Sequence, residues 1–396
     1  MNFDKMNVTS LKELACSLSS LSVFTGVLSK KEMTAFLSFL KSENIFDKLG
    51  FYGEFVNLLG AYNGSFSAFL KKAVCEDENI YITSAAKNKE VSQCIKANAQ
   101  KELELFSFLT TLTPDMLFEG YEGYIPQFEN ENVDFSAVYH ERIKHIDRYG
   151  YGIFAAAGMF RVEDGEIVAV EAADDISFDN FIGYDEERQK VVENTKALTE
   201  GRYAQNVLLC GDAGTGKSST VKAVANAYFD KGVRLIELRK DQLFSLSHVM
   251  GRIADNPLKF IIFIDDLSFN KNDDCFSMLK AALEGSASAK ASNAVIYATS
   301  NRRHIVKERF SERGHEDDIH HSDTVQELLS LSDRFGLVVY FSKPNRQLYL
   351  DIVHELAKKE KLTMDEKELD TKAEAFALAK GSRSPRAAQQ FIKTLI

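Results

Sequence analysis

The sequence predicts an α/β fold, in which a parallel five-stranded sheet with helices on both faces follows a mainly helical region and precedes a helical C-terminal region. Three observations lead to this prediction. Residues 1–148 have the apolar spacing of helices, short apolar runs alternate with helix-like segments from Phe178 onward, and helical spacing returns after Pro344. Alternating strands and helices are typical of a parallel sheet that helices cover.

Residues 1–148 are predicted to form a mainly helical domain with a packing or partner-binding role. Ser29 and Glu32 are placed as a capping box at the start of one helix. The apolar residues spaced along one face of that helix are Met33, Phe36, Leu37 and Leu40. No residue of this region indicates catalysis.

The rest of the chain divides into three predicted segments. Residues 149–177 form a β-hairpin connector, because Asp164-Gly165 lies between two apolar runs as hairpin turns do. Residues 178–342 contain the five strands, and residues 343–396 form a helical C-terminal lid. The strand segments are "NVLLC", "RLIEL", "KFIIFID", "NAVIYATS" and "GLVVYF".

Composition narrows the class of protein. The fractions of hydrophobic residues (45%) and charged residues (27%) are typical of a folded chain. The net charge of -10 argues against general affinity for nucleic acid. With no signal-like N-terminus and no long apolar stretch, we expect a cytoplasmic protein without a membrane partner. The cysteines, expected to be reduced and buried, are Cys16, Cys75, Cys94, Cys210 and Cys275.

A glycine-rich stretch matches the phosphate-loop pattern G-x-x-x-x-G-K-[ST] between an apolar run and a helix-like segment. In such a loop, backbone N–H groups wrap the phosphates of ATP, Lys217 reaches the β- and γ-phosphates, and Ser218 offers an oxygen to Mg²⁺. The residues predicted to bind ATP here are Gly211, Asp212, Ala213, Gly214, Thr215, Gly216, Lys217, Ser218 and Ser219.

Polar side chains follow two other predicted strands. Asp265 and Asp266 end "KFIIFIDD", where Asp265 is expected to hold Mg²⁺ and Asp266 to activate water. Asn301 follows "NAVIYATS", at the edge of the sheet where ligands of α/β folds bind, and is expected to position the attacking water.

At these residues the chain resembles AAA+ P-loop ATPases, over about Phe178 to Ile396. "GDAGTGKSS" looks like Walker A, "FIIFIDD" like Walker B, and Asn301 like sensor 1. "LSDRFGL" resembles the arginine-finger box through Arg334, and "GSRSPRAAQQF" resembles sensor 2 through Arg386, with Arg383 a weaker candidate. "FDNFIGYDEE" is similar to the segment that packs on adenine, which implicates Ile182 and Gly183.

The resemblance implies a homo-oligomer that hydrolyses ATP with Mg²⁺ and remodels a protein or nucleic-acid client. Arg334 would act in trans on the ATP of a neighbouring subunit. Most Walker B motifs of this class end Asp-Glu, whereas this chain has Asp266, a shorter acid. The strings "DDLSF", "YATSNRRH" and "LSDRFGL" are closest to a bacterial family of ATP-binding proteins known only as a domain of unknown function.

Two other functions remain open from the sequence. One is a nucleotide-gated binding module with slow or no turnover, which Asp266 favours. The other is a P-loop kinase, which needs an acceptor pocket that the motifs do not indicate. Within residues 301–323, Arg302 and Arg303 are candidates for a subunit interface. In the same stretch His315, His320 and His321 lack metal-ligand spacing and are expected in a solvated loop.

Overall fold

The computed structural model describes residues 10–170, 176–267, 278–279, 283, 292–301 and 334–396. The chain divides into two compact units, Met1–Ala156 and Ala157–Ile396. The helical unit therefore extends beyond residue 148, where the sequence placed its end. Within the described ranges, no helix combines the length and apolar character needed to cross a membrane.

The first unit is helical throughout its regular structure. Several of its helices begin at side-chain caps: the side chains of Asn44, Ser65, Asn79 and Ser92 each accept a hydrogen bond from a backbone N–H of the following turn. The helices are α1 (Leu11–Ser19), α2 (Thr25–Leu28), α3 (Lys31–Lys41), α4 (Ile45–Leu58), α5 (Phe66–Glu76), α6 (Ile80–Ala86), α7 (Gln93–Leu109), α8 (Pro114–Leu117), α9 (Phe135–Lys144), α10 (Ile146–Tyr149) and α11 (Ile153–Ala156).

One predicted cap in this unit is wrong. Helix α3 has Lys30 as its N-cap, without a side-chain cap bond. Ser29 instead ends α2 and donates its hydroxyl to the Gly26 carbonyl at 2.7 Å. The short helix α2, which the capping-box pattern does not indicate, therefore ends at Ser29.

Aromatic rings form the centre of the first unit. Phe36, Phe39, Tyr52, Phe55 and Phe66 are fully buried, and their contacting ring centroids lie 4.9–6.3 Å apart. Such tilted and edge-on contacts each add about 0.5–1.5 kcal/mol beyond the burial of their area. The predicted face of α3 points into this cluster, since Met33, Phe36 and Leu40 are buried.

The second unit contains a seven-stranded sheet of order β2-β1-β4-β5-β6-β3-β7. All neighbours are parallel except β1 and β2. The strands are β1 (Met159–Glu163), β2 (Glu166–Ala169), β3 (Val207–Gly211), β4 (Val233–Glu237), β5 (Lys259–Ile264), β6 (Ala294–Ser300) and β7 (Leu337–Phe341).

The sheet has two strands more than the five predicted. Asp164 and Gly165, both with positive φ, form the hairpin turn that the sequence indicated. Strand β1 then pairs with β4 in parallel, so the hairpin is an edge of the sheet as well as a connector.

Both faces of the sheet are covered, as a parallel sheet requires. Val207 and Leu209 of β3 pack with Val191 and Val221, which belong to α12 (Asp185–Thr199) and α13 (Lys217–Ala227). The alternate residues of the strands, which face the other way, are also buried: Leu208, Cys210, Ile236, Phe260, Ile262 and Ile264. A further helix, α14 (Leu246–Ile253), follows β4.

Three helices follow the sheet and form the C-terminal lid: α15 (Arg346–Lys359), α16 (Glu366–Ala379) and α17 (Pro385–Lys393). Their shared core includes Tyr349, Val353, Ala373 and Phe391. The predicted fold class is confirmed as an α/β architecture: along the chain, a mainly parallel sheet with helices on both faces follows a helical N-terminal unit and precedes a helical C-terminal lid.

The thiol prediction is only partly right. Cys75 and Cys210 are buried free thiols, but Cys16 and Cys94 are exposed, because each lies on the solvent side of its helix. Cys275 lies outside the described residues.

Candidate nucleotide-binding site

The glycine-rich loop turns directly from β3 into α13. Gly211 ends the strand and Lys217 begins the helix. Gly211, Gly214 and Gly216 have φ values of 139°, 77° and 92°, which favour glycine over any residue with a side chain. A Cβ atom on Gly211 would lie 2.0 Å from the Phe341 carbonyl oxygen, so this glycine is also required by close packing on β7.

Lys217 is buried within the loop, with 5% of the residue exposed. Its ammonium donates to the carbonyl oxygens of Gly211 and Asp212 at 2.9 and 2.8 Å and to Asn301 Oδ1 at 2.8 Å. Burial lowers the pKa of Lys217 from its ordinary value, because the charged form loses hydration. Three neutral oxygens therefore hold this cation, and no carboxylate within the described part of the chain bonds to it directly.

Asp265 receives two hydroxyl groups on one oxygen. Its Oδ1 accepts from Ser218 Oγ at 2.6 Å and from Thr299 Oγ1 at 2.5 Å. Ser218 lies in the first turn of α13, while Asp265 follows β5 and Thr299 lies in β6. The carboxyl ends of three neighbouring strands thus meet at this point.

Asn301 joins Lys217 to Asp266. While its Oδ1 accepts from Lys217, its Nδ2 donates to Asp266 Oδ1 at 2.7 Å. The Asp266 backbone has φ of 51°, a strained value for a residue other than glycine, and its N–H donates to Thr299 Oγ1 at 2.9 Å. The structure therefore brings together Lys217, Asn301 and Asp266 in one hydrogen-bonded chain.

A cavity of about 190 Å³ lies between the loop and the lid. The predicted residues Ile182, Gly214, Thr215, Gly216, Ser219 and Arg386 all line it. The other lining residues are Asn180, Phe181, Arg188, Ile352, Leu356, Pro385 and Gln389. Glycine-rich backbone, apolar side chains and two arginines thus all border the cavity, which suits a ligand with a charged and an apolar end.

Two of the remaining predicted residues, Gly183 and Asp212, accept hydrogen bonds through their backbone carbonyls. The carbonyl of Gly183, which has φ of 71°, accepts from Arg188. The Asp212 carbonyl accepts from Thr215 Oγ1 at 2.8 Å as well as from Lys217. Ala213 lies in the loop between them.

The lid arginines have different surroundings. Arg383 makes a two-pronged ion pair with Glu374, with N–O distances of 3.1 and 2.7 Å. Arg386 is exposed and lines the cavity, and its backbone N–H donates to the Gly214 carbonyl at 3.3 Å. The two candidates for sensor 2 therefore differ in position: Arg386 lies at the cavity, whereas Arg383 contacts Glu374 of the lid.

Arg334 is not brought to this site within its own chain. It precedes β7, and Leu337 at the start of β7 pairs with Val207 at the start of β3. The loop leaves the opposite, carboxyl end of β3, about 15 Å away at 3.3 Å per residue. Arg302 and Arg303 lie outside the described residues, as do His315, His320 and His321.

Sequence reasoning missed two residues of this region, Thr299 and Arg188. Thr299 lies within a β-rich run, where threonine is common for its strand propensity alone. Its place two residues before Asn301 was the available signal. Arg188 follows the acidic run Asp185–Glu187, a pattern typical of an exposed helix start.

Comparison with solved structures gives low similarity. The chain resembles the Thermotoga maritima RuvB Holliday junction branch migration motor at 14% identity and a TM-score of 0.33, over 56% of this chain and 72% of that one. It resembles AMPPCP-bound DnaA from Aquifex aeolicus at 16% identity and a TM-score of 0.37, over 56% of this chain and 64% of that one. No curated protein sequence matches the chain.

A family model gives the stronger match. The model described as "Protein of unknown function (DUF815)" matches residues 155–396, the whole of the sheet, the loop and the lid. Since this match covers more than half of the 396 residues, the chain belongs to the DUF815 family.

Proposed function

We propose that this protein binds ATP with Mg²⁺ and hydrolyses it in a self-assembled oligomer, to remodel a protein or nucleic-acid client. One observation carries the proposal: the Ser218–Asp265 pair and the Lys217–Asn301–Asp266 chain meet beside a phosphate loop. Together these side chains supply a cation, oxygen ligands for a metal, an acid to orient water and a polar link between them. Phosphoryl transfer requires these groups.

The oxygen atoms around Asp265 fit Mg²⁺. Ser218 and Asp265 would hold the ion, because Mg²⁺ takes hard oxygen ligands and keeps several waters. The described ranges contain no group of three or more His, Cys, Asp and Glu side chains placed to hold a metal, so phosphate and water would complete the shell. When bound, Mg²⁺ neutralises charge on the phosphates.

The chain's own groups divide the remaining work. The loop backbone and Lys217 bind the phosphates, Asp266 accepts a proton from the attacking water, and Asn301 orients that water. Because Asn301 contacts both Lys217 and Asp266, arrival of a phosphate at Lys217 changes the hydrogen bonds that hold Asp266. Ile182 and Gly183 lie on the nucleoside side, and Arg386 connects the lid to the phosphates.

Replacing Asp266 with Ala tests the hydrolytic role. We expect phosphate release to fall about 10²-fold or more, the contribution of a positioned general base, while ATP binding is retained. Phosphate release and ATP affinity are measured on the same preparation, with Asp241→Ala as a control because Asp241 is an exposed carboxylate paired with Arg239. Unchanged hydrolysis in Asp266→Ala excludes Asp266 as the base.

A nucleotide-gated binding module is the second candidate function. It is favoured by the strained backbone of Asp266 and by the 2.7 Å contact that holds its carboxylate on Asn301. If this candidate is right, ATP changes the oligomer mass of the wild-type protein without measurable phosphate release. Mass measurement and phosphate release with single-stranded DNA, duplex DNA or cell extract distinguish the two functions.

The affinity for ATP should fall as pH rises through the lowered pKa of Lys217. Burial places this pKa below the ordinary 10.5. In the pH window between the lowered pKa and 10.5, Lys217 of the nucleotide-free protein therefore loses its proton, whereas bound phosphates favour the charged ammonium. Binding then takes up a proton, which calorimetry detects in buffers of different ionisation enthalpy. Burial raises the pKa of Cys210 to about 12, above this window.

Lys217→Arg is the control for this pH dependence, since a guanidinium stays charged throughout. Its ATP affinity should not change across the same window. An affinity of the wild-type protein that stays constant or rises up to pH 10.5 contradicts the assignment to Lys217.

A further inference from the structure

Arg188, in the first turn of α12, is a buried arginine beside the phosphate loop. The residue is 5% exposed and lines the cavity together with Gly216 and Ser219. Its Nη2 lies 4.0 Å from the position that a Cβ atom on Gly216 would take. A buried guanidinium loses much of its hydration, so its free energy depends on the partners that replace water.

The partners of Arg188 are incomplete. Nη1 donates to the Gly183 carbonyl, and the guanidinium lies over the Phe181 ring at 4.4 Å. The Asp185 carboxylate is 3.8 Å from Nη1, but its side chain is 94% exposed, and such exposed pairs contribute about 0–1 kcal/mol. Among the residues that the structure describes, the buried Nε has no hydrogen-bond partner. A cation with an unsatisfied donor thus lies in the wall of a cavity that the glycine-rich loop also borders.

The position of Arg188 along the cavity indicates which group of the ligand it contacts. Gly214, Thr215 and Ser219 line the cavity, whereas Lys217 and Asp265 are absent from its described lining. The cavity therefore lies on the nucleoside side of the loop, and Lys217 lies on the side of the terminal phosphates. Arg188 stands where the glycine-rich wall meets the apolar residues Phe181 and Ile182.

We propose that Arg188 binds the phosphate group nearest the nucleoside, the α-phosphate of ATP, ADP or AMP. This inference rests on the proposed ATP-binding function and adds a second cation to it. Lys217 holds the terminal phosphates and Arg188 the first one, so the two residues respond differently when the ligand is shortened. The α-phosphate supplies the anion that the guanidinium lacks.

Truncated ligands test the assignment. The affinities of ATP, AMP and adenosine are measured by calorimetry and competition for the wild-type protein, Arg188→Met and Arg188→Lys. We expect Arg188→Met to weaken ATP and AMP by about 10- to 100-fold, the effect of losing a charge-assisted hydrogen bond, and to leave adenosine unchanged. Arg188→Lys should bind AMP more tightly than Arg188→Met, because it restores a positive charge.

Three outcomes overturn the inference: equal AMP affinity in wild type and Arg188→Met, an equal loss for adenosine, or equal wild-type affinities for AMP and adenosine. An equal adenosine loss would mean that Arg188 only shapes the base pocket through Gly183 and Phe181. Should Arg188→Met fail to fold, Arg188→Gln keeps a donor for the Gly183 carbonyl without the charge. Melting curves without nucleotide establish which variants are folded.

Failure of this inference is distinguishable from failure of the proposed function. A wild-type protein that binds no ATP removes the proposed function itself. A wild-type protein that binds ATP, with an Arg188→Met variant that binds AMP equally well, removes only the role of Arg188. Lys217→Ala serves as the reference, since it should weaken ATP far more than AMP.

Discussion

An Arg334→Ala protein is expected to hydrolyse ATP about 10³- to 10⁵-fold more slowly than wild type, the range measured for arginine fingers in phosphoryl transfer. Arg334 precedes β7 at the amino edge of the sheet, while the phosphate loop leaves the carboxyl edge. In the proposed oligomer it therefore acts on the ATP of a neighbouring subunit. Phosphate release at saturating ATP, together with oligomer mass, measures the effect.

Mixing two inactive variants tests whether Arg334 acts in trans. Subunits carrying Arg334→Ala retain Lys217, and subunits carrying Lys217→Ala retain Arg334. In a head-to-tail assembly of equal amounts, about a quarter of the sites combine an intact loop with an intact arginine. We expect activity to recover toward that fraction of the wild-type rate. No recovery in mixed assemblies, or a wild-type rate for Arg334→Ala alone, contradicts the trans role.

Arg346→Ala is the matched control for this experiment. Arg346 is an exposed arginine that begins α15, so its loss removes the same charge without touching the site. Its hydrolysis rate should equal that of wild type. Arg334→Lys should remain slow, because an ammonium does not reproduce the planar fork of a guanidinium.

Lys217→Ala is expected to reduce kcat/KM for ATP about 10³-fold, the upper range for losing one preorganised donor to a developing charge. The same change removes the donor from the Asn301 amide oxygen and from the Gly211 and Asp212 carbonyls. The loss should therefore appear in both binding and turnover. Rates at limiting and saturating ATP separate the two contributions.

Lys196→Ala provides the control for Lys217. Lys196 is an exposed residue of α12 whose ammonium lies 3.9 Å from Glu200, and such a surface pair contributes little. Hydrolysis by Lys196→Ala should match wild type. If Lys217→Ala, folded by its melting curve, binds and hydrolyses ATP normally, the loop is not the nucleotide site.

The arrangement of the candidate site was predictable from sequence where a short motif determines the local backbone structure. The spacing of Lys217 and Ser218 fixes both at the start of α13, and strand ends place Asp265 and Asn301 at the same edge. Thr299 was not predictable in this way. Its contact with Asp265 depends on the register that pairs Ile264 with Ala298. A local sequence pattern does not determine the register between strands that lie far apart in the chain.

Tertiary contacts also explain the other differences. The hairpin turn at Asp164 was visible locally, but the pairing of Met159 with Leu235 of β4 joins segments far apart in the chain. Arg188 belongs to an acidic helix start, and its burial involves Phe181 as well as the loop residue Gly216. Ser29 matches the spacing of a capping box, yet it is the C-cap of α2 and not the N-cap of α3.

The hydrogen bond from the Arg386 N–H to the Gly214 carbonyl joins lid and loop through main-chain atoms alone. This N–H belongs to the first turn of α17, where donors lack a partner within the helix. Any residue except proline retains this N–H, so a change of side chain at position 386 leaves the main-chain link between lid and loop in place. If Arg386 contacts the phosphates as proposed, its side-chain role and its main-chain role can diverge independently.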